Sequence, residues 1–161
     1  MRGGWRILAA GLLLGAATIC LAAKLKWPTR TKLPVPSHWE LDQLRSDFGG
    51  GPMLRSVIFT VSSDKPDDLS MQFVTVDAAG LTTRSSWSGP QNGKMLPVQG
   101  MPGGMFGIDR KGQEQLILSD GTSVDGVLSV SKDKGTLLLR ETLTTRKGSS
   151  YRQVLMFYPE D

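Results

Sequence analysis

Past Pro52 the sequence predicts an all-β fold, an antiparallel eight- to nine-stranded meander or lipocalin-like barrel, preceded by one apolar helix and a short amphipathic one. Three observations carry this expectation. Apolar residues recur with period two, as in Val57, Phe59 and Val61, so alternate side chains face a core. Turn pairs punctuate the chain at short, regular spacing: Ala79-Gly80, Asn92-Gly93, Lys111-Gly112, Asp120-Gly121, Lys134-Gly135 and Lys147-Gly148. No segment between them is long enough for the helix of a parallel crossover, so neighbours pair antiparallel.

Residues 1–27 are read as a transmembrane anchor or signal segment. Ile7 to Ala23 is uncharged for 17 residues. That is the lower limit for a spanning helix and longer than the usual apolar core of a cleaved signal. Trp5 and Arg6 on one side, and Lys24 and Trp27 on the other, suit the two membrane interfaces. In a helix the two indoles would stand about 33 Å apart. Gly11, Gly15, Thr18 and Ala22 share one small-residue face, which lets a second helix approach closely. Cleavage after Cys20-Leu21-Ala22 is the alternative, and it gives a soluble periplasmic or secreted body. Ile19 before Cys20 fits a lipoprotein site poorly. Lysines directly after a cut site disfavour export. The expectation is therefore a retained single-pass anchor, with the body on the extracytoplasmic, periplasmic side.

Residues 28–52 form the second element, a Pro-rich basic linker and a short helix. Pro28, Pro34 and Pro36 stiffen the linker. Ser37-His38-Trp39-Glu40 has capping-box spacing, and Leu41, Leu44 and Phe48 recur at i, i+3 and i+7. Gly49-Gly50-Gly51-Pro52 ends the helix. The third element, residues 53–161, is the β-barrel-like domain. Its first strand centres on Val57–Val61. The next, through Leu69, Met71 and Phe73, changes phase to Val74 and Val76, which predicts a bulge. Further strands are expected near 80–88, 94–99, 104–109, 113–119, 122–131, 135–146 and 149–158.

Charge separates the segments. The net charge is +4, from 19 basic and 15 acidic residues. Six of the basic residues precede position 38, leaving 13 against 15 in the body. The positive excess thus lies beside the apolar segment, which suits membrane lipids and not a nucleic acid. The one cysteine, Cys20, lies within the apolar run, so the body carries no disulfide.

The order LDQLRSDFGGGP, VDAAGLTTRSSWSGPQNGKMLPVQGMPGG and GVLSVSKDKGTLLLRETLTTRKGSSYRQVLMFYPE resembles a bacterial family of exported, lipocalin-like β-meander proteins of unassigned function. The matching residues are Asp47-Phe48-Gly49, Asn92-Gly93-Lys94 with Pro97-Val98-Gln99-Gly100, and Val130 to Leu137, within about positions 41–158. The resemblance implies a β meander and export, and no activity. Members usually carry a cleaved leader or a lipid anchor. The tryptophan-bracketed segment departs from that.

Candidate chemistry is sparse. His38 is the single histidine, which excludes a Ser-His-Asp triad and a multi-histidine metal site. Ser62–Lys65 and Ser129–Lys132 have S-x-x-K spacing without the supporting motifs of a serine–lysine enzyme. Neither Gly49–Gly51 nor Gly100–Gly104 continues as a phosphate loop. Asp64, Asp67 and Asp68 cluster without the spacing of a calcium loop. Met95, Met101 and Met105 have thioethers suited to Cu(I), although Met also fills irregular gaps, which is the preferred reading. Phe59 and Phe73 are assigned to the barrel interior. Period two from Leu137, Leu139 and Leu143 places Glu141 inward as well, opposite Arg152 or a ligand; a bulge that turns Glu141 to solvent is the favoured alternative. No cofactor is called for. The expectation is a non-enzymatic membrane-anchored accessory subunit that binds membrane lipids and other membrane-protein subunits. The alternative is a lipocalin-like carrier of a small apolar ligand.

Overall fold

The structure, a computed structural model, describes residues 32–35 and 37–160. The readings placed on Trp5, Arg6, Gly11, Gly15, Thr18, Ala22, Lys24 and Trp27 lie outside the described residues. Among the described residues no helix is long and apolar enough to cross a membrane.

Among the described residues ten strands form one antiparallel sheet. They are β1 (Ser37–Leu41), β2 (Leu54–Lys65), β3 (Asp68–Asp77), β4 (Thr82–Gly89), β5 (Leu96–Pro97), β6 (Met105–Ile108), β7 (Gln113–Ile117), β8 (Ser123–Val130), β9 (Leu137–Thr144) and β10 (Ser150–Pro159). Their order is β4-β3-β2-β1-β10-β9-β8-β7-β6-β5. First and last strands are neighbours, so the meander wraps round on itself. The remaining seam, between β4 and the two-residue β5, is crossed at Ser86 and Gln99 by reciprocal N–H···O bonds of 3.0 and 2.9 Å. The sheet is thereby a nearly closed barrel, with little unpaired edge.

The tenth strand is β1, and it corrects the expected amphipathic helix. Leu41, Leu44 and Phe48 fit a helical period, but Trp39 and Leu41 also fit period two, and so short a run is ambiguous. Tertiary pairing decides. Trp39 stands between Phe59 of β2 and Pro159 of β10 and is fully buried. The Ser37 hydroxyl accepts a 3.0 Å bond from the Trp39 indole, so it caps no helix. Asp42 then takes the backbone N–H groups of Leu44 and Arg45 on its carboxylate, forming a local turn that ends the strand. Leu44 projects into solvent at 98% exposure. The chain rejoins β10 where Asp47 pairs with Val154.

Gly49 makes this return fit. Its φ is +56°, and a Cβ there would stand 1.7 Å from the Arg152 carbonyl oxygen. A side chain is excluded by both backbone conformation and space.

The bulge expected at Val74 lies instead in the partner strand. β3 stays in phase, and its pairing with β2 slips at Arg55 and Ser62. Val74 and Val76 belong to the outward phase of β3, Val74 opposite Ile58, which is why a second apolar run stands out of step with Leu69, Met71 and Phe73. The slip at Ser62 turns Asp64 inward.

The interior is filled. Phe59 stacks on Phe73 at 4.7 Å and 28°, with Phe157 tilted at 6.5 Å. Trp87 meets Phe106 edge-on at 5.1 Å. The gap left among Phe59, Met71, Phe73, Leu137 and Phe157 is about 10 Å³, roughly the room for one water molecule. At one end Leu33 of the linker is 2% exposed, and it donates its N–H to Asp64 at 2.7 Å. The Gln91 side chain donates to the other oxygen of the same carboxylate, also at 2.7 Å. The linker thus docks on the barrel through a buried acid.

Candidate functional site

Strand alternation brings four interior positions into one row. Glu114 of β7 pairs with Gly126 of β8, Gly126 with Glu141 of β9, and Glu141 with Gln153 of β10. The rows on either side are apolar. One is Leu116, Val124, Leu143 and Tyr151; the other is Leu128, Leu139 and Leu155. Buried Leu137, Leu139, Leu155 and Phe157 fix which face is inside. Glu141 shares their phase, because pairing along β9 runs without a slip on either side. The bulge that would have turned it to solvent is absent from this strand.

Gly126 supplies the room. A Cβ there would lie 3.0 Å from Glu114 Oε1 and 3.0 Å from Glu141 Cγ. With hydrogen only at Gly126, the side chains of Glu114 and Glu141 reach across β8 and hydrogen-bond each other. The Gln153 side-chain amide donates to Glu141 Oε2. Arg152, the partner considered from sequence, pairs with Thr142, faces outward and is exposed. The correct partner is its neighbour, one residue on, since successive side chains on a strand point to opposite faces.

As a residue Glu141 is half-buried, and its carboxyl end is the enclosed part. Burial pushes its pKa above the ordinary glutamate range, against the hydrogen bonds to Gln153 and Glu114, which favour the charged form. A hydrogen bond between two carboxyl groups needs a proton on one of them. The arrangement can therefore hold and release a proton.

Glu114 was not singled out from sequence. The signal was there: it lies two residues before Leu116 and shares its inward phase. What sequence lacks is the register that sets it two strands from Glu141. Phe59 and Phe73 stand in the interior as expected.

The other candidates do not converge. The Met95 thioether packs against Gly107, and the Met101 thioether against Gly104. Met105 pairs with Pro97 and Ile117. Contact with glycine suits thioethers as gap fillers. Asp64 serves Leu33 and Gln91, while Asp68 takes the Ser63 hydroxyl at 2.8 Å. Among the described residues no three His, Cys, Asp or Glu side chains come together. His38 is exposed and bonds Thr60 at 3.0 Å. Ser62 and Ser129 hydroxyls point to the carbonyls of Ser70 and Leu138. No protein-family model matches the chain, and no curated protein matches it.

Proposed function

We propose that this chain is a non-enzymatic accessory subunit, held in the membrane by its N-terminal segment, with the barrel on the extracytoplasmic side. The observation that carries this reading is the filled interior. A carrier of a small apolar ligand needs a cavity matching that ligand, and pockets of that kind run to several hundred Å³. In the barrel interior the gap is about 10 Å³. The larger hollows of about 310 and 430 Å³ at the linker end are open and lined largely by charged and polar residues such as Lys32, Asp64 and Gln91. Ligand transport is thus disfavoured against an interaction role. The basic linker beside an apolar segment with a small-residue face favours partners among membrane lipids and membrane-protein helices. The resemblance to exported lipocalin-like proteins favours the same side of the membrane.

The test is purification of the full chain from its own membrane in mild detergent. N-terminal sequencing is expected to begin at or near Met1, and other membrane subunits are expected to co-purify. Gly11→Ile with Gly15→Ile is expected to reduce that co-purification while leaving the barrel folded. A mature start at Ala23 or Lys24 would remove the anchor from the reading. Stoichiometric uptake of a fatty-acid probe by the purified protein would replace the subunit with the carrier.

A further inference from the structure

We propose that Glu114 and Glu141 form a proton-binding site inside the barrel, and that losing the shared proton loosens the β7–β8–β9 wall. Three geometric facts support it. The two residues occupy one inward row with only Gly126 between them. A Cβ at Gly126 would be in close contact with both side chains, so the strand between them is kept bare. Apolar rows flank the acidic one on both sides, so water solvates the carboxyl groups poorly.

The surrounding groups are few. Opposite Glu114 on β6 stands Ile108. Phe59, Met71 and Phe73 face the site from β2 and β3 and carry no titratable group. From β10 come Gln153 and, one row further along, the Tyr151 phenol. Asp125, Arg140 and Arg152 belong to the outward phase of β8, β9 and β10, and it is the Arg140 backbone carbonyl that abuts Gly126. The proton shared between the two carboxyl groups links β7 to β9 across β8. Without it the same link becomes two like charges at close range. Burial raises the Glu141 pKa, so the folded state holds this proton more tightly than the unfolded chain does.

The sign follows from linkage. Below the unfolded value of a glutamate, about 4.3, both states are protonated and the stabilisation is complete. As pH rises through the folded-state value it is lost. One proton changes the folding constant by up to about tenfold per pH unit in that window.

Amide exchange of the full chain in mild detergent tests this, with rates corrected for intrinsic base catalysis. From pH 5 to pH 9, protection of 113–117, 123–130 and 137–144 is expected to fall by about tenfold or more relative to 68–77. Glu141→Gln keeps the shape and a donor toward Glu114, and it is expected to abolish that fall. Equal pH dependence in both proteins overturns the proposal. If the variant does not fold, carboxyl-carbon NMR of the unsubstituted protein decides. One glutamate titrating well above the ordinary range supports the site, and every glutamate titrating near 4 to 5 overturns it.

Discussion

Phe59→Ala probes the filled interior directly. Phe59 is 1% exposed, pairs with Trp39 on one side and Phe73 on the other, and touches Phe157. Loss of a fully buried phenylalanine side chain forfeits about 3 kcal/mol of transfer free energy. The Phe73 stack, at 4.7 Å between centroids, adds about 0.5–1.5 kcal/mol. Pairing is unbroken around Phe59, over Ser56–Val61 against β3 and Ile58–Val61 against β1, so the hole cannot close by collapse. The expected total is about 3.5–4.5 kcal/mol, within the range for such truncations. Urea unfolding of the full chain in mild detergent, followed by tryptophan fluorescence, reads it; Trp39 and Trp87 are both buried reporters. With a slope near 2 kcal/mol/M the midpoint falls by roughly 2 M. Leu44→Ala, at a side chain 98% exposed, is the control and is expected to change stability by less than about 0.5 kcal/mol. A loss below about 2 kcal/mol for Phe59→Ala would refute the close packing, because a loose interior could absorb the truncation.

Gly49→Ala is expected to destabilise by about 2–3 kcal/mol, since a left-handed backbone costs alanine about 1–2 and the Arg152 carbonyl must also move aside. The same unfolding assay reads it, and a neutral result would mean that the 42–49 return does not press on β10. Asp64→Ala leaves the Leu33 N–H and the Gln91 amide without their acceptor, an expected cost of about 1–3 kcal/mol. Limited proteolysis should then cut the linker near Leu33 faster than in the unsubstituted protein; unchanged cleavage would remove Asp64 as the docking point.

The strands from 54 onward were legible because period two and glycine-bearing turns are local signals. Gly80, Gly93, Gly112, Gly121 and Gly148 all take positive φ at the expected reversals. The stretch 37–48 was not legible. Its apolar residues satisfy two periods at once, and only the presence of β2 and β10 on either side selects the strand. The bulges at Arg55 and Ser62 leave no composition mark, since a bulge is a mismatch between two strands and not a property of one. For the same reason the sequence groups Asp64 with Asp67 and Asp68, although Asp64 lies inside.

The candidate site divides along the same line. From the sequence alone come the apolar residues of β9 and the inward phase that period two offers Glu141. Both follow from side-chain alternation, which needs one strand only. The reading that the sequence favours there is nonetheless a bulge turning Glu141 to solvent, which the unbroken pairing of β9 overturns. That Glu114 meets Glu141, that Gln153 and not Arg152 is its hydrogen-bond partner, and that Gly126 leaves the space between them depend on register across four strands. Register is set by the packing of the whole barrel, so only the tertiary structure decides which two carboxyl groups share a proton.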